Sequence, residues 1–413
     1  MTLDRWTRNF GARMHQHGLG GALGYTARWA KNRLLGRSDL NTPLFSKKRD
    51  LEKAFGMVLS PNMQLVDADL DPTGWINWVI PPFSIGSGGH TTIFRTIAAL
   101  TRNGFRSRLY FVGDTGQKEP EDLLKIINEH FLPLEAEIHL QATHFRPAQF
   151  VMATSWNTAY WAAACPGAQK RLYFVQDYEP YFYAHGSEYF FAEHTYRLGL
   201  TAITAGDWLA ETLKREFGMR TFPFRFSYDK ALYKPHPKED NVRRVFFYAR
   251  HVTLRRGFEL GILALHLLHK QMPEIEFILA GWDAGEFHIP FPHLNAGVVP
   301  IDKMPFILSQ CDAALMISLT NNSLMPIEAM ACGCPVVSND GPNVEWQLTD
   351  SENALLCPPT PQALANGLMR LLQDEDLRQR LIQQGFEFAE KTDWAHEGDR
   401  VASFLKHLAS ESN

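Results

Sequence analysis

From residue 74 onward, short apolar runs alternate with segments whose apolar residues recur every three or four positions. Residues 74–80, 107–112, 137–140, 150–153, 171–176 and 200–204 are short and rich in β-branched and aromatic side chains, which predicts strands. Between them, 120–130, 156–164 and 206–217 read as helices, and 91–100 places Ile93, Phe94, Ile97 and Leu100 on one helical face. The rhythm restarts at Arg244, with strands predicted at 244–249, 275–280, 297–300, 313–317, 336–338 and 354–357. Strand and helix in alternation imply an α/β architecture of doubly wound parallel sheets. Residues 222–240, with Pro223, Pro235 and Pro237, read as the linker between two such sheets.

One stretch organises the second half: SLTNNSLMPIEAMACGCPVVSND, residues 318–340. It predicts a loop, a short helix and a buried strand. Pro326 suits a first helical position, where its missing N–H would have no partner. Gly333 suits a helix end that needs positive φ, and Pro335–Ser338 is apolar and β-branched like a covered parallel strand. Ligands of open α/β sheets bind at the carboxyl edge, where this helix would aim its N-terminus and Glu328. A carboxylate suits a ribose diol, although Glu328 could equally do no more than complement the helix dipole.

Two other strand ends carry candidate chemistry. The first predicted strand empties into a loop, 81–90, that closes with Gly88, Gly89 and His90, and glycines let backbone N–H groups approach an anion. It is neither GxGxxG nor a Walker loop, which argues against dinucleotide and NTPase readings. The strand 171–176 empties into Asp177, Tyr178 and Glu179, acceptors and flat rings suited to sugar hydroxyls and sugar C–H faces, or simply solvated charges. Asp67-Ala-Asp69 imitates a metal-binding DxD, but it precedes the first strand and Pro72-Thr-Gly74 makes it a turn.

Composition limits the remaining choices. At 413 residues there is room for two sizeable cores, and a net charge of −4 argues against a nucleic-acid partner. Five cysteines form no CxxC pairs, so neither a metal ligand set nor a disulfide framework is expected. No apolar run approaches a membrane span and no signal-peptide pattern is present, so the expected compartment is the cytoplasm. The first fifty residues are basic, with Trp6, Phe10 and Trp29 interleaved; they read either as a peripheral membrane contact or as an extension packed on the following domain.

The run Glu328–Val337, EAMACGCPVV, resembles the signature of retaining GT-B glycosyltransferases of glycosyltransferase family 4, in which a second glutamate lies eight residues upstream. Here that upstream position is Thr320, and residues 173–179 (YFVQDYE) resemble the WsaF-type rhamnosyltransferases, which also lack it. The resemblance implies two Rossmann-like domains facing across a cleft: 1–72 an extension, 73–235 an acceptor domain, 240–392 a donor domain, and 393–413 a helix returning to the first domain. It implies diphosphate binding by Arg250 and by Arg256 or Arg255, ribose binding by Glu328, and donor contacts from Thr320, Asn321, Asn322, Ser323, Leu324, Met325, Gly88 and Gly89. Asp177 joins Arg250 and Arg256 as a catalytic candidate, while His90, Tyr178 and Glu179 fall on the acceptor side. The activity implied is metal- and cofactor-free hexosyl transfer from a nucleotide-activated sugar, dTDP-L-rhamnose first, to a surface glycan that could be lipid-linked. GDP-mannose or a UDP-sugar is the alternative donor, and a sugar-nucleotide-binding scaffold without turnover is the alternative class.

Overall fold

The computed structural model describes residues 50–411. The basic N-terminal stretch, with its membrane-contact reading, lies almost wholly outside them. Residues 50–59, with a helix at Leu51–Phe55, belong to one unit, and Ser60 onward forms a second compact unit.

That second unit contains two large sheets, besides a short parallel pair of Gln64–Leu65 with His144–Phe145. The first has seven parallel strands in spatial order Glu137–His139, Arg106–Phe111, Trp75–Ile80, Ala148–Ala153, Ala168–Val175, Thr201–Ala205 and Thr221–Phe224. The second has six, in the order Leu294–Gly297, Glu276–Gly281, Arg244–Ala249, Ala313–Met316, Val336–Asn339 and Ala354–Cys357, again all parallel. Numbered within each sheet, the second runs 3-2-1-4-5-6 and the first runs the same way with one strand added. This is the doubly wound order, whose crossover direction reverses between strands 1 and 4. Helices cover both faces, so the central strands carry apolar side chains on both: Trp78, Val79, Phe246 and Phe247 are fully buried.

Three details depart from the sequence reading. The strand expected at 297–300 lies earlier, at Leu294–Gly297, as a half-exposed edge strand; the Val298-Val299 run comes after it. The expected linker begins with a strand, Thr221–Phe224, which tolerates Pro223 because it is the sheet's edge. An unforeseen helix, Ser187–His194, follows the strand Ala168–Val175.

The helix Met325–Ala331 begins with Pro326 in its first turn, and Gly333 follows with φ 77°. The last helix, Trp394–Ser410, is capped by Asp393, whose carboxylate accepts from the amides of Ala395 and His396. It crosses back to the first half, where Gly398 lies against Ala99 of the helix Gly88–Arg102 and Phe404 stacks on Phe222 at 4.4 Å.

Candidate functional site

The carboxyl edges of the two sheets meet, and the loops at the second sheet's point of reversal follow Arg244–Ala249 and Ala313–Met316. The first of these loops is a run of arginines. A 3₁₀ turn, Leu254–Arg256, ends in Gly257 at φ 57°, and the helix Phe258–Gln271 starts there. A Cβ on Gly257 would lie 2.8 Å from Ile317 Cγ2, so only glycine lets the turn pack on the neighbouring strand end. The turn sends Arg255 and Arg256 different ways. Arg256 Nη1 donates to Ser318 Oγ at 2.7 Å, while Arg255 Nε faces Asp177 Oδ2 at 3.2 Å and its guanidinium lies 3.9 Å over the Phe182 ring. Arg250 Nε donates to Thr253 Oγ1 at 3.0 Å, and its guanidinium lies 5.5 Å from the Trp282 ring centre.

Among the described residues, neither Arg250 nor Arg256 has a carboxylate within ion-pair distance. Burial lowers the Arg256 pKa from its ordinary value; the Asp177 charge opposes that shift, and Arg255 and Arg250 reinforce it. A half-buried guanidinium held by a neutral hydroxyl, with two like charges nearby, is an electrostatic arrangement that a bound anion would complete.

The second loop, from Ser318, is pinned across the cleft. Asn321 N donates to Asp177 Oδ1 at 2.8 Å and Thr320 Oγ1 to Asp177 Oδ2 at 3.0 Å. The Asn321 side chain donates to the carbonyls of Gln176 (2.9 Å) and Ala205 (2.8 Å) and accepts from Trp346 Nε1 at 2.8 Å. Trp346 lies over Gly206, where a Cβ would meet its ring at 2.5 Å. Asn321 is fully buried, and Thr320 and Asn322 nearly so. These three side chains therefore spend their hydrogen bonds on protein, Asn322 on Gln347. Ser323 is half-buried beside them, and Leu324 and Met325 pack on the core edge.

Glu328 is buried on the same short helix. Its carboxyl meets the Tyr233 hydroxyl, and burial pushes its pKa up to about 7, opposed by the Arg95 charge and the Tyr233 bond. On the opposite edge, Gly88 and Gly89 open the helix Gly88–Arg102; nothing lies within 4 Å of a Cβ on Gly88, and Gly89 O accepts from Gln176 Nε2 at 3.1 Å. His90 bonds Ser87 Oγ at 2.8 Å and the Pro81 carbonyl at 3.3 Å. Burial drops its pKa to about 4, so it is neutral near pH 7.

Two residues expected on the acceptor side face inward instead. Tyr178 packs among Tyr181, Tyr196 and Trp208, and Glu179 accepts from Trp156 N at 2.7 Å and from the Tyr173 hydroxyl at 2.6 Å. The reason is local. The strand ends at Val175 and gives way to a 3₁₀ turn, Glu179–Phe182, which folds these positions into the domain instead of leaving them at the sheet's open edge.

Sequence reasoning assigned no site role to Ser318, Gln176, Tyr233 or Trp346, because each acts through a partner remote in the chain. Among the described residues no group of three metal-ligating side chains comes together, and Asp67 is bound to Arg146 at 2.8 Å. The five cysteines are free and buried; burial raises the Cys332 thiol to about 12. No described helix is long and apolar enough to cross a membrane.

Residues 229–388 match the family described as glycosyl transferases group 1, and residues 136–205 match the WsaF N-terminal domain. The chain is 34% identical over 339 residues to an O-antigen biosynthesis protein, RfbC, of Myxococcus xanthus, a match covering 79% of this chain and 26% of that protein. The chain thus spans about a quarter of that relative's length. Among solved structures, sucrose-phosphate synthase from Thermosynechococcus elongatus superposes with TM-score 0.63 at 14% identity, covering 82% of this chain and 100% of that one. Anabaena HepE in complex with UDP-glucose superposes with TM-score 0.62 at 17% identity, covering 81% of this chain and 100% of that one. The fold is GT-B, and the chain is similar in its second half to group 1 glycosyl transferases and in part of its first half to WsaF.

Proposed function

We propose that this protein is a glycosyltransferase that moves a hexose from a nucleoside-diphosphate sugar to a glycan acceptor. The observation that carries the reading is the pair of guanidinium groups, Arg250 and Arg256, without carboxylate partners at the second sheet's point of reversal. As the bond from the anomeric carbon to the phosphate oxygen breaks, its electron pair leaves with the diphosphate, and these two arginines meet the growing charge. Each such contact is worth about 2.7–4 kcal/mol of transition-state stabilisation. Glu328 takes the ribose hydroxyls in exchange for Tyr233, and Gly88 and Gly89 admit the donor or acceptor close to the backbone. Donor contacts from Ser323, Leu324 and Met325, and retention of anomeric configuration, follow the family resemblance.

The finer reading is dTDP-L-rhamnose as donor and a bacterial surface polysaccharide as product. Its support is the WsaF match over 136–205 and the O-antigen relative. A thermal-shift panel of dTDP-, UDP- and GDP-sugars tests it. Preferential stabilisation by dTDP-rhamnose is expected; preference for GDP-mannose or a UDP-sugar would refute the donor while keeping the reaction class. The missing acid at 320 favours one rival, a binding scaffold. Donor binding without any transfer or donor hydrolysis would establish that rival.

A further inference from the structure

Between Ser318 and Pro326 the donor-side loop contains no acidic residue, yet a carboxylate sits against it. It is Asp177, delivered from the end of the first sheet's strand Ala168–Val175. Its Oδ1 accepts from the amides of Tyr178 (2.9 Å) and Asn321 (2.8 Å), and its Oδ2 accepts from Thr320 Oγ1 (3.0 Å) and faces Arg255 Nε (3.2 Å). A carboxylate has about four acceptor sites. Three of those of Asp177 are filled by hydrogen bonds and the Arg255 charge faces the remaining side, which turns its carboxylate toward protein and away from a sugar hydroxyl in this arrangement.

We propose that Asp177 is a positioning residue of the donor site: it supplies, from the opposite sheet, the carboxylate that this loop lacks, and acts through Arg255 and the loop. The inference rests on the diphosphate-sugar reading above. A chain of bonds links Asp177 to the phosphate-binding side. Asp177 holds the Asn321 amide, the Asn321 carbonyl accepts from Ser318 Oγ at 2.6 Å, and Ser318 Oγ accepts from Arg256 at 2.7 Å. Charge adds a second link. Three guanidinium groups crowd one turn, and among the described residues only Arg255 has a carboxylate, that of Asp177. By holding Arg255 aside, Asp177 leaves Arg250 and Arg256 as the pair for the diphosphate.

Asp177→Asn is the test. It preserves shape and the Oδ1 acceptor, but turns an amide NH₂ toward Arg255 and Thr320. Hydrogen–deuterium exchange of the full chain over residues 318–325 should quicken at least about tenfold, and calorimetry with UDP and dTDP should show binding at least about tenfold weaker. In a cycle with Arg255→Met, the losses in kcat/KM should combine to less than their product, because the second change removes the partner through which the first acts. Fully multiplicative losses would place Asp177 on the substrate and overturn the proposal. Unchanged exchange over 318–325 would overturn it as well. If Asp177→Asn does not accumulate as folded protein, Thr320→Val, which deletes one donor to the same carboxylate, serves in the exchange experiment with the same two outcomes. A wild-type chain that binds neither diphosphate would refute the transferase reading instead; the exchange measurement needs no ligand and still decides the role of Asp177.

Discussion

Replacing Glu179 by Gln should stabilise the protein at alkaline pH and leave it nearly unchanged in acid. Glu179 is buried beneath the candidate site, and that burial is the main reason its pKa rises from the ordinary 4.5 to about 7; its bonds from Tyr173 and Trp156 oppose the rise, and Asp177 adds to it. A carboxyl whose folded pKa lies above its unfolded pKa binds its proton more tightly when folded. Below about pH 4.5 both states are protonated and nothing is lost. Between about pH 4.5 and pH 7 the unfolded chain ionises first, so stability falls as pH rises, and above about pH 7 the full cost stays constant. A displacement of about 2.5 units at 1.36 kcal/mol per unit sets that cost at about 3 kcal/mol. Glutamine imitates the protonated acid: its oxygen can accept from Trp156 N and its NH₂ can reach the Tyr173 oxygen. Urea unfolding of both proteins at about pH 4 and about pH 8.5 measures the effect. Matching midpoints at the lower pH and a higher midpoint for Glu179→Gln at the upper one are expected. A lower midpoint for the variant at about pH 8.5 would mean that Glu179 is ionised and favourably held, and the inward-facing account would fail.

Arg250→Ala and Arg256→Ala should each weaken nucleoside diphosphate binding by about ten- to a hundredfold, while monophosphate binding falls much less; equal losses on both ligands, read by calorimetry, would move these arginines away from the outer phosphate. Transfer should survive excess EDTA, and Asp67→Ala with Asp69→Ala should cost under about 1 kcal/mol, the worth of an exposed ion pair such as Asp67–Arg146; loss of activity in EDTA with recovery on adding Mn²⁺ would refute metal independence.

Much of the architecture was legible in the sequence because sheet and helix patterns are local. Alternating strands and helices announced doubly wound sheets. Pro326 and Gly333 likewise marked the ends of a helix that forms where they predict. What tertiary structure alone decided was which partner each polar group meets. Arg255 and Arg256 are adjacent and chemically identical in sequence, yet one turns to Asp177 in the other half and the other to Ser318. Tyr178 and Glu179 follow an apolar strand, but the 3₁₀ turn after it rotates them inward. Thr320 looked like a gap in a motif, until a carboxylate from the opposite sheet arrived within 3.0 Å of it. Burial and long-range pairing set the protonation of Glu179, Glu328 and His90 as well. Desolvation and hydrogen bonding depend on what lies within a few ångströms in space, and the residues that come that close are scattered along the chain.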